Sequence, residues 1–138
     1  MRVSWSSAVA LTLFLVSSCS RSSQSADTGP STPLDRACRT AAAASAGNDT
    51  EIQRLQQALR DERPPSRAAE QLGYRFIARA RLSNDAGFYT LAEQAALCMA
   101  SIDAADPAAL LLRGHVLHQM HRFVEAELVA RRLGAGRQ

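Results

Sequence analysis

The chain has 138 residues, 46% of them hydrophobic and 5% aromatic, with a formal net charge of +3. That length suits one modest domain. Its cations are all arginine and lie scattered, Arg131-Arg132 being the only adjacent pair, so no basic stripe points to nucleic acid. Abundant alanine with few aromatic residues favours close-packed helices over a sheet.

The chain opens with a positive start, Met1-Arg2, and an apolar run from Ala8 to Val16 that ends at Ser17-Ser18-Cys19. This order reads as an export signal. The run is too short to span a bilayer, which takes about 20 apolar residues. An aliphatic residue, two small residues and a cysteine resemble the lipobox of bacterial lipoproteins. The resemblance implies cleavage before Cys19, a diacylglycerol on its thiol and acylation of its new amino terminus. Ser20, not Asp, follows; in Gram-negative lipoproteins this implies passage to the outer membrane. The alternative is an ordinary secretory signal with a cysteine near its cleavage point.

Residues 1–18 are therefore expected to be a signal peptide and 19–33 a lipidated linker. Ser20 to Thr32 is polar, without an apolar period, and predicts a disordered tether. Residues 34–134 form the predicted helical domain and 135–138 a tail.

Pro33 opens a first helix through the alanine run Ala41–Ala44, which Gly47 closes. Few large apolar residues mark it. Asp49 is a predicted N-cap for a second helix with the stripe Ile52, Leu55, Leu59, which Pro64-Pro65 stops. Ser66 is positioned to cap a third helix with the stripe Leu72, Phe76, Ala80. Asn84-Asp85-Ala86-Gly87 reads as a turn, and Phe88 to Ile102 as a fourth helix. Asp106-Pro107 supplies a cap and a first-turn proline for a fifth, running to Met120. After a bend at His121-Arg122, a sixth helix runs from Phe123 to Leu133, and Gly134 ends it. No segment reads as a strand.

A shift of 34 residues places Phe76-Ile77-Ala78-Arg79-Ala80 on Leu110-Leu111-Leu112-Arg113-Gly114, without a gap. The same shift matches Tyr89 with Phe123, Ala92-Glu93 with Ala126-Glu127, Ala96 with Ala130 and Met99 with Leu133. This helix–turn–helix unit resembles the tetratricopeptide repeat over about residues 50–134. Ser83 and Ala104 depart from the family's pattern. Leu72-Gly73-Tyr74 also looks like the family's opening, placed early by almost two helical turns. Gly114 and Ala80 are expected to let helix backbones approach closely. Phe123 and Tyr89 should fill the bend, and alanines 92, 96, 126 and 130 should leave room for a neighbouring helix.

The resemblance implies a concave groove for a protein or peptide ligand. Its lining would include Tyr74, Ile77, Arg81, Asn84 and Asp85 from one helix and its turn, and His115, His118 and Gln119 from the next. Arg81 could pair with a carboxylate, and Asn84 and Gln119 could bond a peptide backbone. The competing reading makes this set a solvated face.

His115 and His118 are helical neighbours able to share a metal ion, but no nearby Cys or carboxylate has ligand spacing. Cys38 and Cys98 either pair, closing a loop of 60 residues (98 − 38), or sit as two small buried apolar side chains. No phosphate-binding loop or nucleophile–base arrangement is present, so no enzyme or cofactor is predicted.

The expectation is an all-α protein: a short right-handed solenoid of helical hairpins, acting as an interaction or scaffolding module on the periplasmic face of the outer membrane. The alternatives are a metal-binding or enzyme-accessory lipoprotein using His115 and His118, and a fragment of a longer repeat protein. Without a capping helix, the apolar flank of the last helix is left for a partner, a homodimer mate or further chain.

Overall fold

The computed structural model describes residues 33–62 and 64–136; Cys19, the expected export signal and the expected tether Ser20–Thr32 lie outside them. Six helices follow in order: α1 (Pro33–Ala43), α2 (Thr50–Asp61), α3 (Ser66–Ser83), α4 (Gly87–Ile102), α5 (Pro107–Gln119) and α6 (Phe123–Ala135). The protein is all-α; no strand occurs among the described residues.

Local chemistry sets most of the boundaries. The Asp49 carboxylate accepts the Ile52 N–H at 3.1 Å, and the Asp106 carboxylate accepts the Ala108 N–H at 2.9 Å. Both satisfy backbone donors that a helix start leaves free. Ser66 makes no cap hydrogen bond; it is already the first residue of α3. Asn84 ends α3 in the left-handed region, at φ 54°, where a short polar side chain is tolerated.

At the end of α5, His121 takes the same conformation, at φ 58°. Its N–H bonds the His118 carbonyl, and the Arg122 N–H bonds the Leu117 carbonyl. This double bond pattern closes a helix and usually employs glycine. Gly134 does not end α6, which continues through Ala135.

The expected stripes are buried. Ile52, Leu55 and Leu59 face inward from α2, and Leu72, Phe76 and Ala80 from α3. α4 lies among three helices, packing against α3, α1 and α5, with Ala92, Ala95, Ala96 and Cys98 wholly enclosed. α5 rests against both α3 and α4, whereas α6 packs on α5 alone among the described helices.

The first hairpin departs from the order of the other two. α2 lies against α3, while the principal neighbour of α1 is α4. Among the described side chains of α1, those buried in the core are small, Ala37, Ala41 and Ala42, and three contacts from elsewhere hold the helix. Cys38 and Cys98 are bonded, with Cα atoms 4.6 Å apart and a sequence separation of 60. Closing such a loop restricts the unfolded chain by about 4 kcal/mol in the chain-entropy picture.

α2 supplies the other two contacts. Gln56 Nε2 donates to the carbonyls of Ala41 and Ala44, and Arg60 Nη1 donates to that of Ala42. These α2 side chains satisfy carbonyls left free at the end of α1. The helix therefore stops at Ala43, before Gly47, which takes a positive φ in the following turn.

Close approach occurs at a different glycine from the one expected. A methyl group on Gly73 would lie 2.5 Å from Leu112 Cδ2 and 3.4 Å from Ala95 Cβ, so this is where α3 meets α5 and α4. At Gly114 the nearest atom would be Val129 Cγ1, an ordinary 3.6 Å away. Phe123 does not fill the bend; it is 53% exposed. Ala130 is exposed too, because no helix covers that side of α6 among the described residues.

These environments set opposite signs for one substitution. Gly114→Ala should be neutral or stabilising by up to about 1 kcal/mol, through helix propensity alone. Gly73→Ala gains the same propensity but must displace the enclosed Leu112, an overpacking cost of about 1–3 kcal/mol. Urea denaturation should therefore show Gly73→Ala below the parent and Gly114→Ala at or above it.

Candidate partner-binding face

α3 and α5 bring part of the predicted groove together. The ring centroids of Tyr74 and His115 are 6.4 Å apart in an edge-on arrangement, and Arg81 Nη2 stands 3.2 Å from His115 Nε2. Arg81 and His115 are 34 positions apart, so residues equivalent under the repeat shift meet face to face. With the guanidinium donating, the facing His115 nitrogen is the acceptor.

The electrostatics agree with that assignment. Burial pushes the His115 pKa below 6.5, and the Arg81 and His118 charges push it the same way. Burial likewise raises the Tyr74 phenol above its ordinary value, with the Glu70 carboxylate adding to the shift. At neutral pH the face therefore offers a fixed guanidinium, a neutral imidazole and a protonated phenol. All three can engage polar groups of a partner.

The remaining predicted residues have other surroundings. Ile77 is 3% exposed and belongs to the core, so it does not line a groove. α3 packs against α4, α2 and α5, and Ile77 lies on its covered side. Asn84 is the left-handed cap of α3. The Asp85 carboxylate accepts the Gly87 N–H at 2.8 Å, which fixes the turn into α4. His118 is exposed and packs edge-on against Phe123, at 5.4 Å between centroids, and Gln119 is half-buried.

The repeat pattern gave no sign of two charged networks behind this face. Asp49, besides capping α2, pairs with Arg75 Nη2 at 2.9 Å. Burial alone would raise its pKa, but the Ile52 N–H and Arg75 together outweigh it and leave the carboxyl lowered.

The second network joins α4 to the α5–α6 bend. Glu93 is buried and accepts from Arg122 Nη1 at 2.7 Å, with Arg113 Nε 3.6 Å away. Arg122 also grips Glu125 through two nitrogens, at 2.7 and 2.5 Å. That bond, reinforced by Glu93, holds the guanidinium pKa well above its usual value. The spacing Arg122-x-x-Glu125 was a visible signal for the local pair; nothing local pointed to Glu93.

No three His, Cys, Asp or Glu side chains converge on a metal-sized space among the described residues. The Arg81 cation beside His115 also opposes a second cation there. A separate recess of about 530 Å³ is lined by Ala108, Leu110 and Leu111 of α5, Arg132 and Leu133 of α6 and Glu70 of α3.

The lowered His115 pKa has a definite sign for stability. The folded state prefers the neutral ring, so its contribution is present above the unfolded value near 6.5 and is lost as pH falls through the folded value. In an NMR titration His115 should titrate below 6.5. Arg81→Ala should raise that midpoint only part of the way, because burial is the larger cause. A His115 midpoint at or above 6.5 in the parent protein would contradict the geometry.

No family model, no curated protein and no solved structure matches the chain.

Proposed function

We propose that the chain is a bacterial lipoprotein whose helical hairpins, stacked as in tetratricopeptide repeats, dock a protein segment at the periplasmic face of the outer membrane. The observation that carries the docking reading is the meeting of Arg81 and His115, one repeat length apart. It supports a regular stagger of α5 on α3, the arrangement by which stacked hairpins create a continuous ligand-facing surface.

Tyr74, Arg81, His115 and His118 would contact the partner, with Arg81 taking a carboxylate or carbonyl and His115 and Tyr74 completing the polar contacts. The lipid part rests on Val16-Ser17-Ser18-Cys19. Lipid on Cys19 would fix the location, and the tether, about 20 Å in root-mean-square span, would hold the domain beside the membrane.

Both parts can be tested in intact bacteria. A clickable palmitate analogue should label the protein, and Cys19→Ala should abolish the label and release the protein from the membrane fraction. A photo-crosslinking residue at Tyr74 or His118 should give one discrete protein adduct, while the same residue at Thr90, exposed on α4, should not give it. Unlabelled protein removes the lipoprotein reading. Adducts that do not distinguish Tyr74 from Thr90 remove the docking face.

A further inference from the structure

α6 carries an apolar surface that the repeat does not require. Phe123, Val124 and Leu128 are 53%, 74% and 58% exposed. Under the 34-residue shift, Val124 and Leu128 correspond to Thr90 and Gln94 on α4. The same hairpin position is thus polar in one copy and aliphatic in the other, so hairpin packing does not account for the aliphatic side chains. Exposing two such neighbours to water is unfavourable unless another surface covers them.

We propose that α6 pairs with α6 of a second copy of this chain, antiparallel, about a twofold axis near the middle of the helix. The helix is complementary to its own reverse. Its first half presents the aliphatic Val124 and Leu128, and its last turn presents the small Ala135 on the same exposed face. Antiparallel pairing sets each aliphatic half over the partner's small last turn. Val124 then lies over the partner's Ala135, and Leu128 meets the partner's Leu128 near the axis.

Charge fixes the same register. Glu127 and Arg131 form an exposed pair at 2.7 Å on this surface. In the antiparallel register each Glu127 stands beside the partner's Arg131, and each Arg131 beside the partner's Glu127. A parallel register would set like charges side by side, which is unfavourable. Such an isologous contact closes on itself as a dimer and leaves no free end.

The contact is small. Thirteen residues give a helix about 20 Å long, and its pairing stays below the buried area of roughly 1,200–2,000 Å² that marks stable complexes. The dimer is therefore weak in solution, with a dissociation constant on the order of 100 µM.

Sedimentation equilibrium between about 10 µM and 1 mM tests this on the chain from residue 19 onward, with Cys19→Ala so that no acyl chain drives association. The apparent mass should rise from that of the monomer toward twice that value. Leu128→Glu should weaken association roughly tenfold or more. Glu127→Arg alone should weaken it several-fold, and Glu127→Arg with Arg131→Glu should restore it to within about twofold of the parent. All three variants alter exposed side chains, and circular dichroism checks that each stays folded. A monomer at every concentration overturns the proposal. So does association that survives Leu128→Glu, or a double variant no better than Glu127→Arg alone.

Discussion

The fold depends on the thinness of α4. Ala92, Ala95 and Ala96 are wholly enclosed, and α3, α1 and α5 all pack against this one helix. Bulk comes from the neighbours: Leu72 and Phe76 from α3, and Leu112 and Val116 from α5. Small residues facing large ones let helices approach within the usual 8–10 Å without leaving voids. Gly73 extends the same principle to α3, where only hydrogen leaves room for Leu112. Because the alanines contribute little area themselves, α4 gains its stability from what the surrounding helices bury on it.

Charged and polar side chains secure the pieces that this packing holds weakly. The described α1 side chains in the core are alanines, and the helix is held by the Cys38–Cys98 bond and by Gln56 and Arg60 on its carbonyls. Asp49 ties the start of α2 to α3 through Arg75, and Glu93 ties α4 to the α5–α6 bend through Arg122. Removing one member of such a pair leaves its partner's charge exposed to a poorly solvated site, which is where most of the cost lies. The absence of lysine from the chain fits this use, since the guanidinium fork of Arg122 reaches two carboxylates at once.

What the sequence made legible was local. The stripes of α2 and α3, the Asp49 and Asp106 caps and the Asn84 turn are each encoded within a few residues, and the structure places them where expected. Long-range choices were not legible. The packing of α1 on α4 has no signal in a segment with so few large apolar residues. Glu93 and Arg122 are 29 positions apart and belong to no short motif.

The 34-residue shift equates Ile77 with Leu111, yet the first is 3% exposed and the second 56%. A repeat assigns equivalent positions, but burial follows from what lies alongside. α3 has helices on both flanks, whereas α5 is followed only by α6. The same reason separates the enclosed Ala96 from the exposed Ala130, and it moved the close approach from Gly114 to Gly73. On the candidate face, Tyr74 and Arg81 lie one heptad apart on the exposed side of α3, and both meet the half-buried His115 of α5. Ile77 went to the core because α3 is covered from more than one side.

Native-state hydrogen exchange across a denaturant series tests the central role of α4 most directly. If the other helices are organised around it, the amides of Leu91 to Ala100 should exchange last, with a free energy equal to global unfolding, and those of α6 should open earlier by local fraying. Slower exchange in α6 or α2 than in α4 would contradict this account.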